Sequence, residues 1–209
     1  MVTSAIHRKI EQHAAARPDA TAVADSDRTL TYRELNQRAN AVARWLGGSG
    51  LTRGGAAIVR IDPGADLLIA LLAVLKAGAA YTWIDPAAGG PCDLPSFAIA
   101  CRSTCAAERR YRAVDIRRLL AESVARPSPN LPILTRGTDI ACILADEIGA
   151  AHVLVPHAVI VSMREPARAA SARPDPGAFG YWIRLMTGGT VTFAAVERGP
   201  ALSTASAAA

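Results

Sequence analysis

Between Ala56 and Ile84 the chain spells a strand, a helix and a second strand joined by short connections. Residues 56–61 form a continuous run suited to a buried strand. Residues 65–77 are apolar at helical spacing, with Leu68, Leu71, Leu72 and Leu75 directed at a sheet, and Gly78 supplies a left-handed cap. Residues 80–84 are the returning strand. A helical crossover joins parallel strands and runs right-handed, so the unit implies a parallel βαβ core. The fold class is therefore α/β, a parallel sheet with flanking helices. Such sheets receive ligands beyond the carboxyl ends of their strands, here Asp62-Pro63-Gly64 and Asp85-Pro86.

The flanking segments follow the same logic. Residues 6–16 carry helical spacing and stop at the turn Arg17-Pro18-Asp19, and 21–24 form a short strand before the turn Asp25-Ser26-Asp27. Thr31-Tyr32-Arg33-Glu34 is a capping box that opens a helix through Leu46, ended by Gly47-Gly48. Further strands are predicted at 97–101, 140–145, 153–155 and 191–196, and helices at 113–122, 159–168 and 181–186. Proline-rich breaks fall at 126–134 and 172–178. Residues 1–200 read as a single domain, and 201–209, without periodicity, as a disordered tail.

Composition narrows the class. The 209 residues are 51% hydrophobic and 20% charged, which supports a core and excludes a disordered chain, a collagen-like repeat or a disulfide scaffold. Cys92, Cys101, Cys105 and Cys142 show no CxxC pairing and read as reduced thiols. His152 and His157, five apart around Pro156, read as a strand-end pair; no metal site is expected. The longest clean apolar run, Leu67 to Leu75, stops at Lys76, short of the roughly 20 residues that cross a bilayer. Arg8, Lys9 and Glu11 stand where a signal peptide needs apolar residues. A soluble, cytoplasmic protein without membrane contact is expected.

The net charge of +5 is concentrated between Arg102 and Arg136, where eight arginines face Glu108, Asp115 and Glu122. No aromatic stacking pattern accompanies them, so a solvated or partner-facing basic helix is favoured over a nucleic-acid surface. Gly47-Gly48-Ser49-Gly50-Leu51 fails as a nucleophile elbow at its last position. Neither a Gly-x-Gly-x-x-Gly turn after a strand nor a Walker A loop occurs. Asp146-Glu147 would serve as an acid–base pair if buried, but neighbours on a strand point to opposite faces, which favours a solvated loop.

The order of these pieces resembles the front of the adenylation domain of nonribosomal peptide synthetases, in the adenylate-forming superfamily. LTYREL (30–35) is similar to the first core motif of that family. LLAVLKAGAAY (71–81) followed by Asp85-Pro86 is similar to the second, and Ile6-His7 with Arg17-Pro18-Asp19-Ala20 fits the family's usual start. The resemblance implies the first subdomain of an adenylate-forming enzyme, roughly the N-terminal half of its large domain.

Departures from the family pattern bear on function. The family's third motif is a loop rich in Ser, Thr and Gly, ending in Lys, that wraps the phosphates of ATP. At the matching place this chain has Asp139-Ile140-Ala141 leading in and Val153 to His157 leading out. Between them stands Ala145-Asp146-Glu147-Ile148-Gly149-Ala150-Ala151-His152, with one glycine, no hydroxyl and no lysine. Asp146-Glu147 would repel a triphosphate. Where the fourth motif presents an Asp for the substrate's amino group, Phe179-Gly180-Tyr181-Trp182 carries no acid. Tyr181, Trp182 and Arg184 fall where the family builds its acyl-substrate pocket, and read either as ligand contacts or as core packing. No catalytic residue and no cofactor is expected.

By analogy with the family, the expected role is a non-adenylating subunit of a specialised-metabolite pathway of nonribosomal-peptide type. It would stabilise or complete a second protein subunit in a hetero-oligomer, with carrier-protein contact. The alternative is half of a two-subunit enzyme, with chemistry other than adenylation, acting on a carrier-bound substrate derived from an amino acid. ATP-dependent amino-acid adenylation ranks last. A mean hydropathy of +0.19 and the edges of a parallel sheet point toward a covered surface.

Overall fold

A computed structural model of the chain describes residues 5–84, 97–100, 112–123, 128–132, 135–145, 152–164 and 178–193. Asp85-Pro86, Asp146-Glu147, Cys92, Cys101, Cys105, most of the arginine-rich segment and residues 201–209 lie outside the described residues.

The βαβ unit forms as expected. Strand β3 (Ala56–Arg60) and strand β4 (Ala80–Trp83) pair in parallel, with Ala56 opposite Ala80 and Val59 opposite Trp83. Helix α3 (Ala65–Lys76) connects them, and Gly78 holds the left-handed φ of 79° that turns the chain into β4. Strand β5 (Phe97–Ala100) pairs with the other side of β3, so the chain reverses direction across the sheet at β3. Outside these run β6 (Arg112–Asp115), β7 (Ile140–Ala145) and β8 (His152–Pro156). The order is β6-β5-β3-β4-β7-β8, parallel throughout except for the antiparallel β7–β8 pair.

Every residue of α3 except Asp66 is buried. A helix this apolar on all sides needs neighbours all round. The sheet covers one flank. Helix α1 (Ile6–Ala16), helix α2 (Tyr32–Gly48) and helix α4 (Ile116–Ser123) pack against it from the others. Leu68, Leu71, Leu72 and Leu75 are all fully buried in the resulting core. The capping box of α2 is complete. The Glu34 N–H donates to Thr31 Oγ1 at 3.2 Å, and the Thr31 N–H donates to Glu34 Oε2 at 2.8 Å. The bonds that the Thr31 N–H and hydroxyl donate to the ionised Glu34 carboxyl hold it below its usual range.

A small second sheet, β2-β1-β9, sits beside the large one. Strand β1 (Thr21–Ala24) pairs antiparallel with β2 (Thr29–Thr31) and parallel with β9 (Val191–Thr192). The three residues of β2, too few to show alternation, are not legible as a strand in the sequence. Helix α6 (Phe179–Met186) precedes β9, and three side chains from the front of the chain satisfy the carbonyls at its end. The Tyr32 hydroxyl bonds Leu185 O at 3.0 Å and Gly189 O at 2.7 Å, His13 Nε2 bonds Met186 O at 2.8 Å, and Arg17 donates to Gly188 O. Burial pushes the Tyr32 hydroxyl up to about 12, so it stays a donor.

Three predicted elements need correction. Spacing predicts one helix over 113–122, but Arg112–Asp115 pairs with β5 as a strand, because neighbouring-strand hydrogen bonds override local periodicity. The helix begins at Ile116, with Asp115 Oδ1 accepting the Arg117 N–H at 2.9 Å as a cap. Of the helix predicted over 159–168, the part within the described residues is α5 (His157–Ser162), with Met163 already extended at ψ 148°; residues 165–168 lie outside the described residues. His157 therefore opens a helix and is not a strand-end residue. The right-hand boundary of α2 falls at Gly48, and the left-handed φ sits on Gly50 at 99°.

Among the described residues no helix is long and apolar enough to cross a membrane. Leu72→Ala should lower stability by roughly 2–5 kcal/mol, the usual cost of emptying a buried leucine site, measured by urea denaturation.

Candidate functional site

The reversal of strand order at β3 marks the carboxyl ends of β3, β4 and β5 as the crevice where an α/β sheet receives a ligand. Trp83 ties the exits of β3 and β4 together, its Nε1 donating to Ile61 O at 3.0 Å. Beyond Ile61 the chain runs through exposed Asp62 to Gly64, which begins α3. Gly64 has no side-chain cap of its own. Asp25 supplies it from a distance, with Oδ2 accepting the Ala65 N–H at 2.8 Å. A Cβ at Gly64 would stand 2.9 Å from that oxygen, so a larger residue there would push the capping carboxylate aside. Asp66, on the same turn, pairs with Arg28 and lies 3.7 Å from the Arg117 guanidinium.

Strand β7 ends at Ala145 and β8 begins at His152, so residues 146–151 join the carboxyl end of β7 to its antiparallel neighbour. Two aliphatic side chains of β8 face outward, Val153 at 59% exposure and Leu154 at 57%. Val159 of α5 is 44% exposed beside them in sequence. Among the described residues, strand β8 is the last strand at this edge of the sheet.

The three candidate residues on α6 are parted by the helix. Trp182 is fully buried and donates from Nε1 to the Tyr81 hydroxyl at 2.6 Å, with ring centroids 6.2 Å apart. Tyr181 is half-buried against Phe193, edge to face at 5.2 Å. Arg184 is exposed on the last turn. The Trp182–Tyr81 contact anchors α6 on β4, a long-range link that no local pattern announces.

An open cavity of about 440 Å³ lies at the opposite, amino ends of the strands, lined by Arg53, Gly54, Gly55, Gly78, Thr138 and Asp139 among others. Its rim is an ion pair, with Arg53 donating to Asp139 Oδ2 at 2.8 Å. The Arg136 N–H donates to the same oxygen at 3.0 Å, and that bond, followed by the Arg53 guanidinium, holds the Asp139 carboxyl below its usual range. The pair closes the start of β7 onto the loop before β3. It offers no nucleophile beside a base, and the chemistry of an α/β sheet belongs at the other end.

Buried titratable groups gather elsewhere, between α1, α3 and α5. Lys76, with no exposed side-chain surface, pairs with Glu11, which also meets Arg8 at 3.3 Å. Burial pushes the Lys76 ammonium down, while Glu11 opposes the shift. His7 and His157 lie edge to face with centroids 5.8 Å apart. Among the described residues no group of three His, Cys, Asp or Glu converges as metal ligands would, and Cys142 is buried.

With this geometry in place, the likeness to known proteins takes a definite form. Residues 10–106 match the AMP-binding enzyme family. Bacitracin synthase 3 of Bacillus licheniformis is 47% identical over 81 residues, which is 39% of this chain and 1% of that protein. Surfactin synthase subunit 2 of Bacillus subtilis is 45% identical over 86 residues, 41% of this chain and 2% of that protein. The N-terminal subdomain of Klebsiella oxytoca NpsA superposes with a TM-score of 0.74 at 23% identity, covering 93% of this chain and 56% of that one.

Over its front half the chain is similar to the adenylation domains of nonribosomal peptide synthetases.

The chain thus spans a small part of the curated synthases and about half of the solved subdomain. Its fold is that of the N-terminal subdomain, with the βαβ unit and α2 inside the matched residues. Trp182→Ala should cost roughly 3–5 kcal/mol by thermal or urea denaturation, as for other buried aromatics. Trp182→Phe, which keeps a ring but leaves the Tyr81 hydroxyl without this donor, should cost less, about 1–3 kcal/mol.

Proposed function

We propose that this chain is a non-adenylating subunit of a specialised-metabolite system of nonribosomal-peptide type, working in the cytoplasm by stabilising or completing a second protein. One observation carries the reading. Residues 146–151 join the carboxyl end of β7 to β8, where the resemblance locates the phosphate-wrapping loop, and they are Asp-Glu-Ile-Gly-Ala-Ala. A triphosphate needs converging N–H groups, hydroxyls and a cation. This segment offers two carboxylates and neither a hydroxyl nor a lysine. The exposed Val153 and Leu154 on the adjoining edge strand support a partner-covered surface, since unpaired strand edges with apolar side chains invite association.

Two measurements test the reading. Amino-acid-dependent exchange of pyrophosphate into ATP by the pure chain should stay at background across the proteinogenic amino acids, and robust exchange refutes the proposal. Co-expression with carrier and synthetase proteins encoded beside it should yield a stable heteromer on size-exclusion chromatography. A chain that stays monomeric and monodisperse under both conditions sinks the subunit role.

A further inference from the structure

We propose that His7 and His157 form an acid-sensitive latch that holds α5, and the edge strand β8 leading into it, against α1. Both side chains are interior, His157 at 1% exposure and His7 at 4%. His157 Nδ1 accepts the Ile6 N–H at 3.3 Å. Ile6 is the first, fully buried residue of α1, and Ala5 before it has no side-chain acceptor. His157 therefore does for α1, from 151 positions away, what a serine or aspartate does locally at other helix starts.

That bond demands a bare Nδ1, which puts the proton of the neutral ring on Nε2. A proton added at Nδ1 turns the acceptor into a donor. It leaves the buried Ile6 N–H facing another N–H, and sets an imidazolium beside the His7 ring. The surroundings oppose that charge. His7 faces His157, the Lys76 ammonium from α3 and Arg8 of its own helix; Arg44 of α2 stands beyond Lys76. The Glu11 carboxylate is engaged by Lys76 and Arg8. From the start of β7, Asp139 draws His157 toward protonation, but Arg53 and the Arg136 N–H already hold that carboxylate. Helix α6 carries one charge, exposed Arg184. His7 Nδ1 has no hydrogen-bond partner among the described residues.

Burial, the largest cause for each ring, pushes His7 down to about 3 and His157 to about 4, from 6.5. The opened state returns each to its ordinary value, so it binds more protons below pH 6.5. Closure is fully favoured above that value and is lost as the pH falls toward 4. From pH 7.5 to 5.0 the opening equilibrium rises about 30-fold if His157 alone is freed, and on the order of several hundredfold if both are.

Amide hydrogen exchange on the intact chain at pH 7.5 and 5.0, corrected for intrinsic rates, tests the latch. Ile6, the first turn of α1 and residues 157–162 should lose protection by that factor, while residues 67–75 remain at least about tenfold better protected. In His157→Asn the Oδ1 replaces Nδ1 as a non-titrating acceptor, and the loss at Ile6 should shrink about tenfold or more. Unchanged protection at Ile6, joint loss across α1 and α3, or an equal loss in His157→Asn overturns the proposal. Nitrogen-15 spectra of the wild-type imidazoles read the same point without a variant. An Nε2–H tautomer titrating below pH 5 is expected; an Nδ1–H tautomer, or a midpoint near 6.5, overturns it.

Discussion

The absence of a solvent face on α3 organises the rest of the structure. Ten aliphatic side chains and one lysine must all be enclosed, and a sheet can cover only one flank of a helix. Helices α1, α2 and α4 are held where they are by that need, and the parallel pairing of β3 with β4 follows from the same helix crossing between them. At about 25 cal/mol per Å² of apolar surface removed from water, a helix enclosed on every side is the largest single contribution an element of this length can make. The small second sheet is then attached to this body through α2, and α6 through α1, Tyr32 and the Trp182 contact with Tyr81 of β4.

Those attachments share a physical device. Two helix starts lack a local side-chain cap and receive one from far along the chain, and the end of α6, closed locally by the Thr187 hydroxyl, gains further donors the same way. Asp25 serves the start of α3, His157 the start of α1, and Tyr32 with His13 and Arg17 the end of α6. Helix ends carry unsatisfied backbone groups wherever they fall, and an end buried against other elements has no water to turn to. Meeting that requirement from a distance converts a local deficit into tertiary specificity. Each bond can form only when two separate parts of the chain are correctly placed.

This division explains what was legible beforehand. The βαβ core, α1, the capping box of α2 and the left-handed Gly78 are written in spacing and in residues within four positions of one another, and they appear where expected. Strand β6 and the short β2 exist through their partners, so their own periodicity does not announce them. Asp115 caps the start of α4, and the four residues before that helix, Arg-Ala-Val-Asp, do not alternate and so merge with the helical pattern that follows. Of the candidate ligand cluster, Trp182 is buried on Tyr81, a contact across 101 positions that no spacing encodes. The edge of β8 shows the opposite case. Its outward Val153 and Leu154 look like ordinary core residues in sequence, and only the strand order makes them surface.

The buried pair of Lys76 and Glu11 has a bearing on how such a chain changes over generations. Removing either partner alone strands a charge in the interior, at a cost of about 3–5 kcal/mol, whereas exchanging both for well-packed apolar residues is often neutral or favourable. A fold with roughly 5–15 kcal/mol in hand can scarcely tolerate the first step. The better-packed alternative is therefore separated from the present sequence by a poorly folded intermediate, and single substitutions do not reach it. An ion pair with little to recommend it energetically can in this way persist through the depth of the valley around it, long after whatever first placed it there has ceased to matter.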